Sequence, residues 1–141
     1  MKQGFFDGTE VSPGYCRALQ AGNLIFISGT GALDDHGKLI SSDVGEQTRL
    51  IYEKMARSLA HFGAQLSDIV RVGIYITDIK TAGQFMKVHS EVFGNINPTA
   101  TLVEVSGLVA GMTVEIEAQA VLQDESFPRD VQTRFDGTQQ S

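Results

Sequence analysis

Two periods alternate along this chain. Val114, Ile116, Ala118 and Ala120 fall on alternate positions with Glu115, Glu117 and Gln119 between them, the period of two expected of a strand with one buried face. Val44, Thr48, Ile51, Met55, Leu59 and Phe62 recur every three or four residues, which predicts a helix with one apolar face. Asp43 and Glu46 have capping-box spacing at its start, and Gly63 suits its end. Val72, Ile74 and Ile76 then alternate with Arg71, Gly73, Tyr75 and Thr77, predicting a second strand. Thr81 and Gln84 repeat the capping-box spacing ahead of a second helix whose predicted face is Ala82, Phe85, Met86, His89 and Phe93. Asn95-Ile96-Asn97-Pro98 ends it, because proline and the residue before it resist helix.

The remaining segments are shorter. Residues 1–16 hold Gly4, Gly8, Pro13 and Gly14 and read as a turn-rich lead-in. Arg17–Gln20 is a candidate short strand before a turn at Ala21-Gly22-Asn23, and Leu24–Ser28 is an apolar run that reads as a buried strand ending at Gly29. Thr30–Ser42 is a loop turning at Asp34-Asp35-His36-Gly37, and Pro98–Val121 carries two strands joined by a Gly-containing connection.

The order is strands, helix, strand, helix, strands: an α+β chain with a single sheet and two helices on one face. The other face needs covering. Val103, Val105, Val114 and Ile116 share strands with Glu104, Glu115 and Glu117, a mixture that favours association of sheets from several copies, with ligand clefts between them. The domain is expected over residues 1–123, with 124–141 a polar tail on the surface.

Composition narrows the classes. With 141 residues and 42% hydrophobic content the chain is long enough for one real core. No apolar run approaches the roughly eighteen residues of a membrane span, and the start of the chain lacks a signal-like apolar region, so a cytoplasmic location is expected. One cysteine, Cys16, excludes an internal disulfide. The net charge of −6 argues against general nucleic-acid binding, which needs basic clusters to meet phosphates.

The chemistry-bearing residues are few. His36, His61 and His89 have no metal-ligand spacing, so a zinc site is not expected. Cys16 has no neighbouring histidine, Ser28 is outside a nucleophile-elbow pattern, and Gly29-x-Gly31 lacks the third glycine and helix of a dinucleotide site. Glu115 and Glu117 are the better candidates. Such carboxylates either sit on a wet strand face or hold and polarise a water in acid–base work, and spacing leaves both readings open.

From Tyr15 to Val121 a series of segments resembles the Rid family, also written YjgF/YER057c/UK114 or, by an older label, endoribonuclease L-PSP. These are Gly22-Asn23-Leu24-Ile25-Phe26-Ile27-Ser28-Gly29, Glu46-Gln47-Thr48, Tyr75-Ile76-Thr77-Asp78-Ile79, Pro98–Val105 and Val114-Glu115-Ile116-Glu117-Ala118. The resemblance implies a chorismate-mutase-like fold and a homotrimer with an inner β-barrel and small-molecule clefts between subunits. It also implies cofactor-free hydrolysis of 2-imino or enamine acids to keto acids and ammonia. By position, Tyr15 matches the family's pocket tyrosine, Gly29 its pocket glycine, and Glu115 the glutamate that orients the attacking water, leaving Glu117 a structural role. Leu102 stands where many members have a cysteine, its backbone facing the ligand, and Met86 replaces a common pocket asparagine.

One departure bears on substrate. Where deaminase members read Pro-x-Arg, this chain reads Pro98-Thr99-Ala100. Alanine cannot clamp a substrate carboxylate with two hydrogen bonds as arginine does, a loss on the order of 2–5 kcal/mol of binding. Arg17 is a candidate substitute cation, a surface arginine being its plainer reading. The sequence thus supports an imine or enamine hydrolase with an altered substrate, or else a non-catalytic metabolite-sensing or regulatory trimer.

Overall fold

The computed structural model describes residues 2–123. The predicted polar tail, 124–141, lies outside the described residues. In chain order the elements are β1 (Lys2–Phe5), β2 (Ala18–Ala21), β3 (Leu24–Thr30), α1 (Val44–His61), β4 (Ile69–Ile76), α2 (Ala82–Phe93), β5 (Thr99–Glu104) and β6 (Val114–Val121). The strands form one sheet in the order β1-β2-β3-β6-β4-β5. All neighbours are antiparallel except β4 and β5. A parallel pair cannot be joined by a tight turn, and α2 supplies the crossover. The two strands of the Pro98–Val121 stretch are therefore not neighbours, because β4 lies between them.

The expected one-sided packing is found. Val114, Ile116, Ala118 and Ala120 of β6 are all buried and share a core with Ile25, Ile27, Val72, Ile74 and Ile76. Ile51, Met55 and Leu59 of α1 and Phe85 and Phe93 of α2 close this core from the helix side. Burying each large aliphatic side chain contributes about 1.5–3 kcal/mol, so the period-two and period-3.6 faces find each other. Gln47 ties the layers together. It is fully buried, its amide donates to Ser41 O (2.8 Å), and its Oε1 accepts from the amides of Thr113 (3.2 Å) and Val114 (3.3 Å). The first turn of α1 thereby holds the start of β6.

Several local expectations change. Residues 2–5 form a strand, β1, that is largely exposed, so no apolar alternation marks it; pairing with β2 and the packing of Phe5 against His61 and the core edge order it. β3 alternates rather than being buried throughout, with Leu24 and Phe26 exposed on the face away from the helices, and it runs on through Gly29 to Thr30. At α1, Asp43 accepts from the Glu46 amide (2.8 Å) as a cap should, but the Glu46 carboxylate takes the Ser41 hydroxyl and the Asp43 amide donates to Ser41 Oγ. At α2 the capping box does not form. Thr81 ends a 3₁₀ turn, Ile79–Thr81, that leads straight into the helix, and its hydroxyl donates to Asp78 O instead. Met86 lies on the exposed side of α2, and Val88 takes the buried place.

Candidate active site

The site begins with an irregularity in β3. Ile27 pairs with Ala118 and Thr30 with Ile116, so β3 holds one more residue than β6 over this interval. Such a bulge bends its strand and re-aims the groups around it. Here it lies at Ser28-Gly29, opposite Glu117 of β6 and within reach of the Glu115 side chain. A Cβ at Gly29 would overlap Glu115 Oε1 and stand 3.0 Å from Cδ. Glycine at 29 is thus the space in which the Glu115 carboxylate lies. Gly31 does the same for Met112, whose sulfur a Cβ would overlap.

Glu115 is half-buried and accepts no hydrogen bond from any described residue. Burial raises its pKa above the ordinary carboxylate value; the Arg17 charge opposes this and the Glu117 charge adds to it. Glu117 is differently placed. Its Oε1 accepts from the Tyr75 hydroxyl (2.9 Å) and lies 3.6 Å from Arg71 Nη1, above Gly73 of β4.

A cavity of about 360 Å³ opens over Glu115, bounded by Tyr15, Arg17, Gly29, Thr30, Gly31, Lys54, Met112 and the loops 8–11 and 33–37. Tyr15 lies at its rim, its hydroxyl accepting from the Val11 amide (3.0 Å) and its ring 5.8 Å from the Arg17 guanidinium carbon. Arg17 is not the surface arginine of the plainer reading, being only 7% exposed. Its Nη1 donates to Gly29 O (2.8 Å) and, more distantly, to Thr30 Oγ1 (3.4 Å). The ladder of β2 with β3 continues to this arginine, Ser28 N donating to Arg17 O (3.0 Å), and sets it beside Asp7 of the lead-in loop, 4.0 Å from Nε.

Lys54 of α1 is the wall residue that sequence reasoning missed. Its ammonium donates to Gly31 O (2.8 Å) and Leu33 O (2.6 Å), fastening the loop after β3. Burial lowers its pKa, and the Arg17 charge lowers it further. The only sequence signal was its place at the edge of the apolar face, between Ile51 and Met55. Thr30 and Met112 carried none.

Other nominated residues fall elsewhere. Ala100 and Leu102 lie on β5, the sheet edge, separated by β4 from β6 and Glu115. The register aligns them with Val72 and Ile74, on the helix side, where Leu102 packs partly against the core. Met86, on α2, is also outside the cavity wall. Of the histidines His36 reaches the wall, whereas His61 stacks on Phe5 and His89 bonds the Tyr52 hydroxyl (2.7 Å). The Ser28 hydroxyl donates to Cys16 O (2.7 Å). Among the described residues no three His, Cys, Asp or Glu side chains gather as metal ligands would. No helix among them is long and apolar enough to cross a membrane.

Comparison with known proteins agrees with this architecture. Residues 9–122 match the family model described as endoribonuclease L-PSP. A RutC family protein of Pyrococcus abyssi is 36% identical over 107 residues, 75% of this chain and 84% of that one. A chloroplastic protein of Arabidopsis thaliana named Reactive Intermediate Deaminase A is 29% identical over 109 residues, 77% of this chain and 58% of that one. Among solved structures, a YjgF/YER057c/UK114 member from Mycobacterium tuberculosis superposes with a TM-score of 0.78 at 34% identity, covering 86% of this chain and all of its own (100%). With the single six-stranded sheet, its two covering helices and a match over most of its length, this chain belongs to the endoribonuclease L-PSP family, the Rid or YjgF family.

Proposed function

We propose that this protein hydrolyses the C–N bond of a small imine or enamine, using a water held by Glu115. The observation that carries the reading is the Glu115 carboxylate itself: half-buried, without a donor among the described residues, and set over Gly29 at the floor of a cavity of about 360 Å³. A carboxylate so placed has free lone pairs for a water, and its raised pKa brings it closer to the operating pH, where a proton carrier works best. In the reaction the water oxygen bonds to the imine carbon, the C=N π pair moves to nitrogen, and Glu115 takes the water's proton. The same proton then passes to nitrogen. The remaining hydroxyl proton passes by the same carboxylate to nitrogen as the C–N bond breaks, so a carbonyl forms and ammonia leaves. The Arabidopsis relative's name, Reactive Intermediate Deaminase A, supports the reaction class.

The reading includes assembly as a homotrimer. The sheet face away from the helices is uncovered and carries Leu24, Phe26 and Val103, all more than one-third exposed. Because β5 ends the sheet, its Ala100 and Leu102 can meet a Glu115 cavity only across a subunit boundary.

The test is ammonia release from freshly generated imines and enamines, with the mass of the assembly read by light scattering. Glu115→Gln is expected to lower kcat/KM by about 100-fold or more while remaining folded. Full activity in that variant, or no ammonia from any such substrate, would refute the hydrolysis; a monomer at micromolar concentration would refute the shared cleft.

A further inference from the structure

The hydrolysis just described leaves one charged group of the cavity without a task. A guanidinium is all donors, so each of the Arg17 N–H groups needs an acceptor once buried. Nη1 has the Gly29 carbonyl. Among the described residues neither Nε, which is buried, nor Nη2 has an acceptor. The near carboxylate, Asp7, stands 4.0 Å from Nε, too far for a hydrogen bond, and its Oδ1 already accepts from both the amide and the hydroxyl of Thr9. Lys54 adds a second cation to the same wall, with two of its protons on backbone carbonyls.

Arg17 and Glu115 meet at one residue. Nη1 bonds the Gly29 carbonyl, while the Glu115 carboxylate fills the space a Gly29 side chain would occupy. The Arg17 charge acts on the Glu115 carboxylate, yet the two form no ion pair. Opposite charges held side by side without pairing leave room for a ligand that satisfies both: an anion for the guanidinium, and an electrophilic carbon facing the water on Glu115. We propose that Arg17 is the substrate anchor, binding a carboxylate one or two bonds from the carbon attacked. It would replace, from within the Glu115 wall, the guanidinium that position 100 lacks. This assignment rests on the hydrolase reading for its substrate, but its anion site is testable without turnover. A strut that merely braced the bulge would have no preference for charged ligands.

The experiment is calorimetric titration of the full-length protein with 2-oxobutanoate and with its uncharged counterpart, butanone. Wild type is expected to bind the oxoacid at least about 30-fold more tightly, the range of a charge-assisted contact. In Arg17→Gln the two ligands should fall within about threefold of each other. Arg17→Lys should be intermediate, since it keeps the charge without the planar fork, and it decides the matter if Arg17→Gln fails to fold. Glu115→Gln should bind the oxoacid more tightly, because a like charge has gone. Equal binding of both ligands by wild type, binding of neither, or an unchanged preference in the Arg17 variants overturns the assignment. Anion preference without ammonia release would sink the hydrolysis and leave Arg17 standing; ammonia release without anion preference would do the reverse.

Discussion

Gly29→Ala isolates the position of the Glu115 carboxylate from its presence. Gly29 lies outside the left-handed backbone region, so alanine can adopt its conformation. What the new Cβ meets is the end of one flexible side chain: it overlaps Glu115 Oε1 and lies 3.0 Å from Cδ and 3.4 Å from Cγ. The carboxylate must swing aside by about 1 Å or more, a misplacement that can cost about 100-fold in rate. The backbone has no reason to move, and removing a strand glycine offsets part of any strain by about 0.5–1 kcal/mol. The expected result is therefore kcat/KM for ammonia release down about 100-fold with a melting temperature within a few degrees of wild type. Gly73→Ala is the matched control. Its Cβ would press on Glu117, 2.9 Å from Oε1, and Glu117 has no part in the proposed reaction, so turnover should change less than about threefold. Equal losses in both variants, or full activity in Gly29→Ala, would refute the placement of the water on Glu115.

The remaining predictions concern charge and the frame that holds β6. Because burial raises the Glu115 pKa, with Glu117 adding and Arg17 opposing, the acidic limb of kcat/KM should lie above the ordinary carboxylate range. It should move down in Glu117→Gln and up in Arg17→Gln; a limb that both variants leave in place would assign it to another group. The stability sign is opposite to that of a salt-bridged acid. A raised folded-state pKa means the folded state binds more protons between the unfolded and folded values, so this contribution to stability falls as pH rises through that window. Glu115→Gln should therefore melt slightly higher at neutral pH, and lower melting would count against burial as the cause of the raised pKa. Gln47→Leu leaves Ser41 O and the Thr113 and Val114 amides without their partner. At about 1–3 kcal/mol for each group left unsatisfied, urea denaturation should show a loss of roughly 3 kcal/mol or more, and a loss under 1 kcal/mol would show that the side chain is dispensable.

What the sequence determined by itself was local and periodic. The alternation Val114-Ile116-Ala118-Ala120 and the 3.6-residue face of Val44–Phe62 each state which side of an element is buried, because a strand or helix repeats its side-chain directions at fixed intervals. From those faces the single sheet with two helices on one side follows, and Glu115 stands out as a carboxylate on the opposite face. Where no such period exists the sequence is silent. β1 is exposed at Lys2–Gly4 and is ordered by pairing with β2 and by the packing of Phe5 alone. The tertiary structure alone decided the site. The β3 bulge at Ser28-Gly29, the setting of Arg17 beside Asp7 of the lead-in loop and the reach of Lys54 to the carbonyls of Gly31 and Leu33 join residues distant in the chain. Strand order likewise separated Ala100 and Leu102 from Glu115 by a whole strand. Burial of a charge depends on what folds over it, and hydrogen bonding across the sheet, not spacing along the chain, determines what that is.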